Sequence, residues 1–473
     1  MRRKSLTNFK ISRRNFIQSA ASLTIVTGCS APLPLSSTSI AADSISVAAP
    51  FDMPNIKIPN FKDASVYNIK DFGALEESMK ANDSAIKAAI YEANYNGGGT
   101  VLIPLGNWQV SSIHLKSYVN LHVSEGATLH FSGSPSDYLP AVKTTWEGME
   151  CYNYSPLIYA YECIDIAISG KGLLTTEMDI WTVWGKRPKP HMDALAKLYH
   201  QASNGEPVEN RVMTYQGANL RPQFIQFNRC QNVLIEDINI ENSPFWVLHP
   251  FLCRDVVIRR VNVKAHGHNN DGVDPEMTQN MLIENCIFDQ GDDALAVKSG
   301  RNQDAWRINT PTKNLVMRNC RIKRGHQLLA VGSELSGGVE NVLVENCKFD
   351  NQGKQHKGTG NLMFIKTNER RGGYVKNIYM QNITAGYLGG APLAVATDVL
   401  YQWRNLVPTY EVRYTKIEDI HLENIQVKSA KNLCKIEAQS ASPVENITMV
   451  NIRADELRET KIIQTNVNNL KVL

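Results

Sequence analysis

Residues 269–298 read NNDGVDPEMTQNMLIENCIFDQGDDALAVK. Three acidic side chains in this stretch, Asp271, Asp292 and Asp293, stand beside apolar runs of the kind that build a core. Between them, Asn280-Met-Leu-Ile-Glu-Asn-Cys286 has the composition of a buried strand. Thirty-four residues on, the pattern returns as Asn314-Leu-Val-Met-Arg-Asn-Cys320. Asp292 lies twelve positions after Asn280, and His326 twelve after Asn314. If these segments are stacked, equivalent units, Asp292 and His326 share one register in adjacent units. A carboxylate cluster capped by a histidine can run acid/base chemistry.

Working outward, the same core (Asn or Asp, apolar, any residue, apolar) begins at Asp165, Asn232, Asp255, Asn280, Asn314, Asn341, Asn377, Asp419, Asn446 and Asn469. Positions 232, 255 and 280 are 23 and 25 apart, and 419, 446 and 469 are 27 and 23 apart. Gaps of 34, 36 and 42 elsewhere require inserted loops. A period of this size with strands in each unit means a solenoid. Leucine-rich repeats would need more Leu and helices. Short β-branched strands with Asn at the turns predict an all-β fold, a parallel β-helix. A second asparagine recurs at Asn285, Asn319, Asn346, Asn382, Asn424 and Asn451, placed to hydrogen-bond along the stack. The spacing of Ala85, Ile86, Ala89 and Ile90 predicts a helix over 82–93, with Asn82 or Asp83 as its cap, closing the N-terminal end. Gly97-Gly-Gly99 enters a strand without a following Lys-Ser/Thr, which excludes a phosphate loop.

The 473 residues are 43% hydrophobic and 20% charged, ordinary for a globular chain. A net charge of +4 without a basic run beyond the first residues argues against nucleic acid. The first 30 residues read as an export signal: Ser12-Arg-Arg-Asn-Phe-Ile17 is a twin-arginine pattern before the apolar stretch 20–27. Val26-Thr-Gly-Cys29 resembles a lipobox, which would put a lipid on Cys29; cleavage after Ala42 is the alternative. Residues 31–60 read as a linker and 61–473 as the catalytic domain. The expected location is the periplasm or outer surface of a bacterium, with no membrane association beyond export or that lipid. Nine cysteines in an exported chain suggest disulfides. However, Cys286, Cys320 and Cys347 recur at one repeat position and Cys230 and Cys253 at another, as stacked buried thiols would. No Cys/His spacing fits zinc.

Neighbouring coils lie about 4.8 Å apart, so like charges in equal register raise one another's pKa. A solvated acidic face with salt bridges is the plain alternative, and the equivalent lysines Lys298 and Lys366 partly suit it. In an ideal strand Asp292 and Asp293 would point to opposite faces. Gly291 is placed to allow the bend that brings both to one cleft. Paired carboxylates on an exported scaffold suggest glycoside hydrolysis, and nearby lysines suggest an acidic sugar.

At these residues the chain resembles glycoside hydrolase family 28, the polygalacturonase-like enzymes. Asn269-Asn-Asp271 followed by Gly-Val-Asp274 is similar to the family's NTD motif. Gly291-Asp-Asp293 is similar to its DD motif, and Gly325-His326 to its GH motif. Phe364-Ile-Lys366 matches its RIK motif without the arginine. Further similar segments are Asp71-Phe-Gly-Ala74, Trp146-Glu-Gly148, Ser155-Pro-Leu-Ile158, Arg221-Pro222 and Asn242-Ser-Pro-Phe-Trp246. The resemblance implies a single-stranded right-handed parallel β-helix and inverting hydrolysis of α-1,4-galacturonan, with no metal or other cofactor. By motif, Asp292 is the general acid, and Asp271 and Asp293 hold and deprotonate the water. His326 maintains the acid's protonation, and Lys366 binds a substrate carboxylate. Asn269 and Lys298 are further substrate-binding candidates. Arg370, Arg371, Lys298 or Arg301 could replace the missing arginine. His249 either lines the cleft or is a structural histidine, and Asp274 reads as structural. Inserts at 301–312, 351–361 and 398–412 hint at exo action by blocking one cleft end. The expected partner is a pectic polysaccharide or oligogalacturonide, and a monomer is expected. Alternatives are a hydrolase of rhamnogalacturonan or xylogalacturonan, a calcium-dependent pectate lyase, and a non-catalytic glycan-binding β-helix.

Overall fold

A computed structural model describes residues 41–215, 217–218, 220–351, 360–400 and 411–473. The export signal, Cys29 and most of the inserts at 351–361 and 398–412 lie outside the described residues. Among the described residues, no helix is long and apolar enough to cross a membrane.

The chain winds into the parallel β-helix that the repeat predicts, right-handed as the resemblance implies. A coil contributes two strands to a 21-stranded sheet, merged into one long strand in the last coils such as Tyr374–Tyr387, and one to a second, site-bearing face. That face runs from Ile113–His114 to Leu248–Phe251, and from Leu295–Val297 to Ile462–Thr465. Isolated bridges at Val273 and Glu276 join the two parts. Inward side chains stack coil on coil, as in Val256, Met281, Leu315, Val342 and Ile378. All are at most 1% exposed, so each coil's apolar face is covered by its neighbours.

The asparagines explain how the strand bends between its two halves. Asn280, Asn314, Asn341 and Asn377 have φ of 60°, 59°, 58° and 54°, a left-handed conformation that asparagine tolerates. Their amides form a ladder, with Asn314 Nδ2 donating to Asn280 Oδ1 at 3.1 Å and Asn341 to Asn314 at 3.0 Å. The second series is also left-handed and forms its own ladder, with Asn424 donating to Asn382 at 3.3 Å and Asn451 to Asn424 at 2.9 Å. All eight described cysteines are free and buried, seven of them in the stack and Cys151 in the strand Met149–Asn153.

Two sequence expectations change. The N-terminal helix spans Met79–Tyr95 with Ser78 as its cap. Asn82 is inside it, fully buried, accepting from the Leu75 amide and donating to the Gln109 carbonyl. Residues 41–60 are not a linker. Ala41–Ile45 pairs antiparallel with Ile56–Asn60, and the hairpin lies on the outside of the large sheet. Its Ile56 and Ile58 cover the outward row Ala167, Leu234, Val257, Leu282, Val316 and Leu343. This is the "any residue" position of the repeat, and its apolar run needs a cover.

Candidate active site

The site lies where chain leaves the large sheet and enters the site-bearing face. Asp292 and Asp293 occupy the turn between Ile287–Gln290 and Leu295–Val297. A Cβ on Gly291 would sit 2.7 Å from the Gly267 carbonyl oxygen, so glycine is required by close coil packing. The His326 amide donates to the Asp292 carbonyl at 2.8 Å, and its Nδ1 lies 3.0 Å from Asp292 Oδ1. The register inferred from the repeat is therefore the register of the fold. Asp271 joins from the preceding coil, where the Gly272 amide donates to the Asp293 carbonyl at 2.9 Å.

These side chains line one cavity of about 270 Å³, with Asn269, Lys298, Lys366, Trp246, His268, Gln327, Ser333 and Glu334. Glu147 and Arg187 complete its wall. Lys366 Nζ donates to Asp293 Oδ2 at 3.2 Å. Gln327, with its amide nitrogen turned toward Asp293, donates to Oδ1 at 2.8 Å. Lys298 Nζ lies 3.4 Å from Glu334, 3.6 Å from Asp274 and 3.8 Å from Asp271. It also sits over the Trp246 ring at 4.7 Å. Lys298 thus lines the cavity, but its charge is taken up by buried carboxylates.

The environment separates the carboxylates by proton affinity. Burial raises Asp271 well above the usual range, with repulsion from Asp292 adding to it. Its Oδ1 is buried without a hydrogen-bond partner. Burial also raises Asp293, against the pull of Lys366. Burial works on Asp292 too, but the hydrogen bond and charge of His326 outweigh it and hold this carboxyl below its usual range. In return, the bond to Asp292 raises His326 to about 9. The free site therefore holds a charged Asp292–His326 pair beside two carboxyls, Asp271 and Asp293, of raised proton affinity. Among the described residues, Asp292, Asp293 and His326 are also the group whose donor atoms converge, all within 4.8 Å. A protonated His326 and the Lys366 ammonium already neutralise these carboxylates, so the donor set suits a cation poorly near neutral pH.

Four candidates are placed elsewhere. His249 is 1% exposed, beneath the hairpin of Val142–Trp146 and Met149–Asn153. It sits in a chain of bonds: Thr144 Oγ1 to Gln226 at 2.7 Å, Gln226 to His249 Nδ1 at 3.0 Å, and Nε2 to Glu276 at 3.0 Å. Arg371 is buried behind the wall, donating to the Ser333 carbonyl at 2.6 Å and to Asn302 at 2.8 Å. Arg370 is buried beside it at 5% exposure. The turn after Lys366 folds onto helix Asn302–Ile308, where Trp306 Nε1 donates to the Arg371 carbonyl. Neither arginine lines the cavity. Arg301 likewise clamps Glu147 and Glu334 instead of facing the cavity.

Sequence reasoning missed Glu334 and Arg187, and placed Glu147 and Arg221 within similar segments without giving them a role. Arg221 places Asn269, donating to its Oδ1 at 3.1 Å and to the Pro244 carbonyl at 2.8 Å. Glu334 had a signal: its unit carries Gly332 where the next coil carries Lys366.

The sequence model of glycosyl hydrolases family 28 matches residues 205–472, more than half of the chain. The chain belongs to this family. A hyperthermoactive exopolygalacturonase from Thermotoga maritima superposes with a TM-score of 0.79 at 33% identity, covering 88% of this chain and 92% of that one. The polygalacturonase of Erwinia carotovora, at 20% identity and TM-score 0.64, covers 91% of this chain and 100% of that one and shares the fold. A probable polygalacturonase of Vitis vinifera is 28% identical over 67% of this chain, and an exo-poly-alpha-D-galacturonosidase of Dickeya chrysanthemi is 26% identical over 59%. The matches span 60% and 50% of those two relatives' lengths. Within this family 28 site, Phe364 stands where the motif arginine is expected. Its ring lies 5.8 Å from Lys366 Nζ, so an apolar surface takes that place.

Proposed function

We propose that this family 28 chain hydrolyses α-1,4-galacturonosyl bonds of pectic polysaccharide by an inverting acid/base mechanism, acting on chain ends. The observation that carries the reading is the trio Asp271, Asp292 and Asp293, each in a different electrostatic environment inside one cavity that Lys298, Lys366 and Arg187 also line. The names of the relatives support the substrate class, and inversion follows from the family resemblance. An entering uronate adds negative charge beside Asp292, which raises its pKa. The proton held by His326 then shifts to Asp292, which delivers it to the leaving glycosidic oxygen. Asp271 and Asp293 hold the attacking water and take its proton, and Lys366 pairs with the substrate carboxylate. The twin-arginine pattern and Cys29 support an enzyme acting outside the cytoplasm.

The test is a product assay on polygalacturonate with and without chelator, following reducing ends and ultraviolet absorbance together. Reducing ends without absorbance, unaffected by chelator, are expected. Absorbance that requires calcium would mean elimination and would overturn the assignments. Asp292→Asn is expected to lower kcat by about 10³-fold or more while oligogalacturonide still binds. Retained turnover in that variant would remove Asp292 from the acid role.

A further inference from the structure

Two lining residues come from outside the coils. Glu147 is at the tip of the hairpin over Tyr159, Gln226 and Asn228, in a two-residue turn with Gly148, at φ of 43° and 83°. Such turns favour Asn or Gly at the first position, so a glutamate there is strained. Arg301 holds it in place, donating from Nε to the Glu147 carbonyl at 2.8 Å and from Nη2 to Oε2 at 3.1 Å. The tip therefore fixes a carboxylate on the cavity wall. Arg187 arrives on the segment before helix Lys189–Ser203, also at positive φ, 45°. It is exposed and makes no hydrogen bond or ion pair among the described residues. The other cations of the lining, Lys298, Lys366 and a protonated His326, are bound to Glu334, Asp293 and Asp292.

The hairpin also closes the cleft. Tyr159 and Asn228 both donate to the Lys143 carbonyl, at 2.6 and 3.1 Å. Trp146 and Met149 pack against Leu195 and Leu198 of the helix. The site-bearing face is thus covered in the coils before Asp271.

We propose that Arg187 and Glu147 form a terminal-sugar subsite at this closed side. Arg187 pairs with the carboxylate of the chain-end uronate, and Glu147 binds its hydroxyls. A uronan passing through would bring its carboxylates against Glu147, so one sugar ends there. The proposal rests on the galacturonan reading above.

The test uses trigalacturonate and two trimers, each methyl-esterified on one terminal carboxylate. The wild type is expected to show a KM about tenfold or more higher for one of the esterified trimers, as loss of a charge-assisted bond gives. Arg187→Gln, at an exposed position, is expected to raise KM by the same factor on trigalacturonate, with kcat within about threefold, and to show no further penalty for that ester. Arg187→Lys restores part of the discrimination. An unchanged KM in Arg187→Gln, or an ester penalty that persists in it, overturns the subsite. Absence of cleavage by the wild type overturns the galacturonan reading, and the subsite with it.

Discussion

At the scale of single residues, the Asp292–His326 pair governs how the site depends on pH. Binding to Asp292 raises the His326 pKa from 6.5 to about 9. Its contribution to stability is therefore complete below the unfolded pKa and is lost as pH rises through about 9. Asp292 is depressed, so its own contribution is lost on the acid side instead. The thermal midpoint of the wild type should thus fall between pH 7 and 10 relative to His326→Gln, whose curve stays flatter over that window. Parallel curves would mean that the pair does not carry the proton. The variant should also lose the alkaline limb of the pH–kcat profile that His326 sets. This pair was legible in the sequence because a solenoid turns equal spacing into contact. Twelve residues after one asparagine must meet twelve residues after the next. The remainder of the wall was not legible for the same reason. Arg187 and Glu147 sit on insertions that have no register, so counting along the repeat does not reach them. His249 does occupy an outward coil position, but the inserted hairpin buries it, and the repeat alone gives no sign of that cover.

At the scale of elements, the asparagine ladders and the outer hairpin have separate, measurable effects. Asn314 has a φ of 59° and exchanges hydrogen bonds with Asn280 and Asn341. Asn314→Gly removes the bonds but accepts the conformation. Asn314→Ala removes the bonds and adds left-handed strain, which costs roughly 1–2 kcal/mol. Urea denaturation should place the alanine variant below the glycine variant by about that amount. Equal midpoints would mean that the bond, not the backbone, selects asparagine. The outer hairpin tests a different link. Ile56 is fully buried against the outward apolar row, so Ile56→Ala should cost about 2–4 kcal/mol locally. A local loss would appear as faster proteolysis within residues 41–60 with the coil transition unchanged. A matching fall in the main transition would instead make the hairpin part of the cooperative unit. The composition of residues 31–60 suggested a linker, and the apolar row that receives the hairpin was hidden in the position treated as free. Beyond Leu343 the row continues as Tyr379, whose ring still meets Phe51 at 6.1 Å, and then becomes His421 and Thr448, which shows how far a cover is needed.

At the scale of the whole molecule, the stack sets where polymer can lie. The coils before Asp271 have their site-bearing face covered by the hairpin and by helix Lys189–Ser203. The inserts expected to close the cleft included 301–312, but its helix Asn302–Ile308 supports the wall from behind. Closure comes instead from the hairpin 142–153 and helix Lys189–Ser203, on the other side of the catalytic turn. A polymer bound in a groove open at both ends is cut internally, so viscosity collapses while few bonds have been broken. A polymer that enters a one-sided cavity by its end loses one unit at a time, and its length changes slowly. Polygalacturonate treated with this chain should therefore keep more than about half of its viscosity while reducing ends accumulate steadily, because each cut at a closed subsite removes one terminal sugar. The first products resolved by chromatography should be monomeric. An early drop in viscosity together with a ladder of oligomers would require chain to pass Glu147, and with it a displaced hairpin tip. Crosslinking the tip to helix Lys189–Ser203 would then abolish internal cutting and spare end-wise release, which separates a moving tip from an open groove.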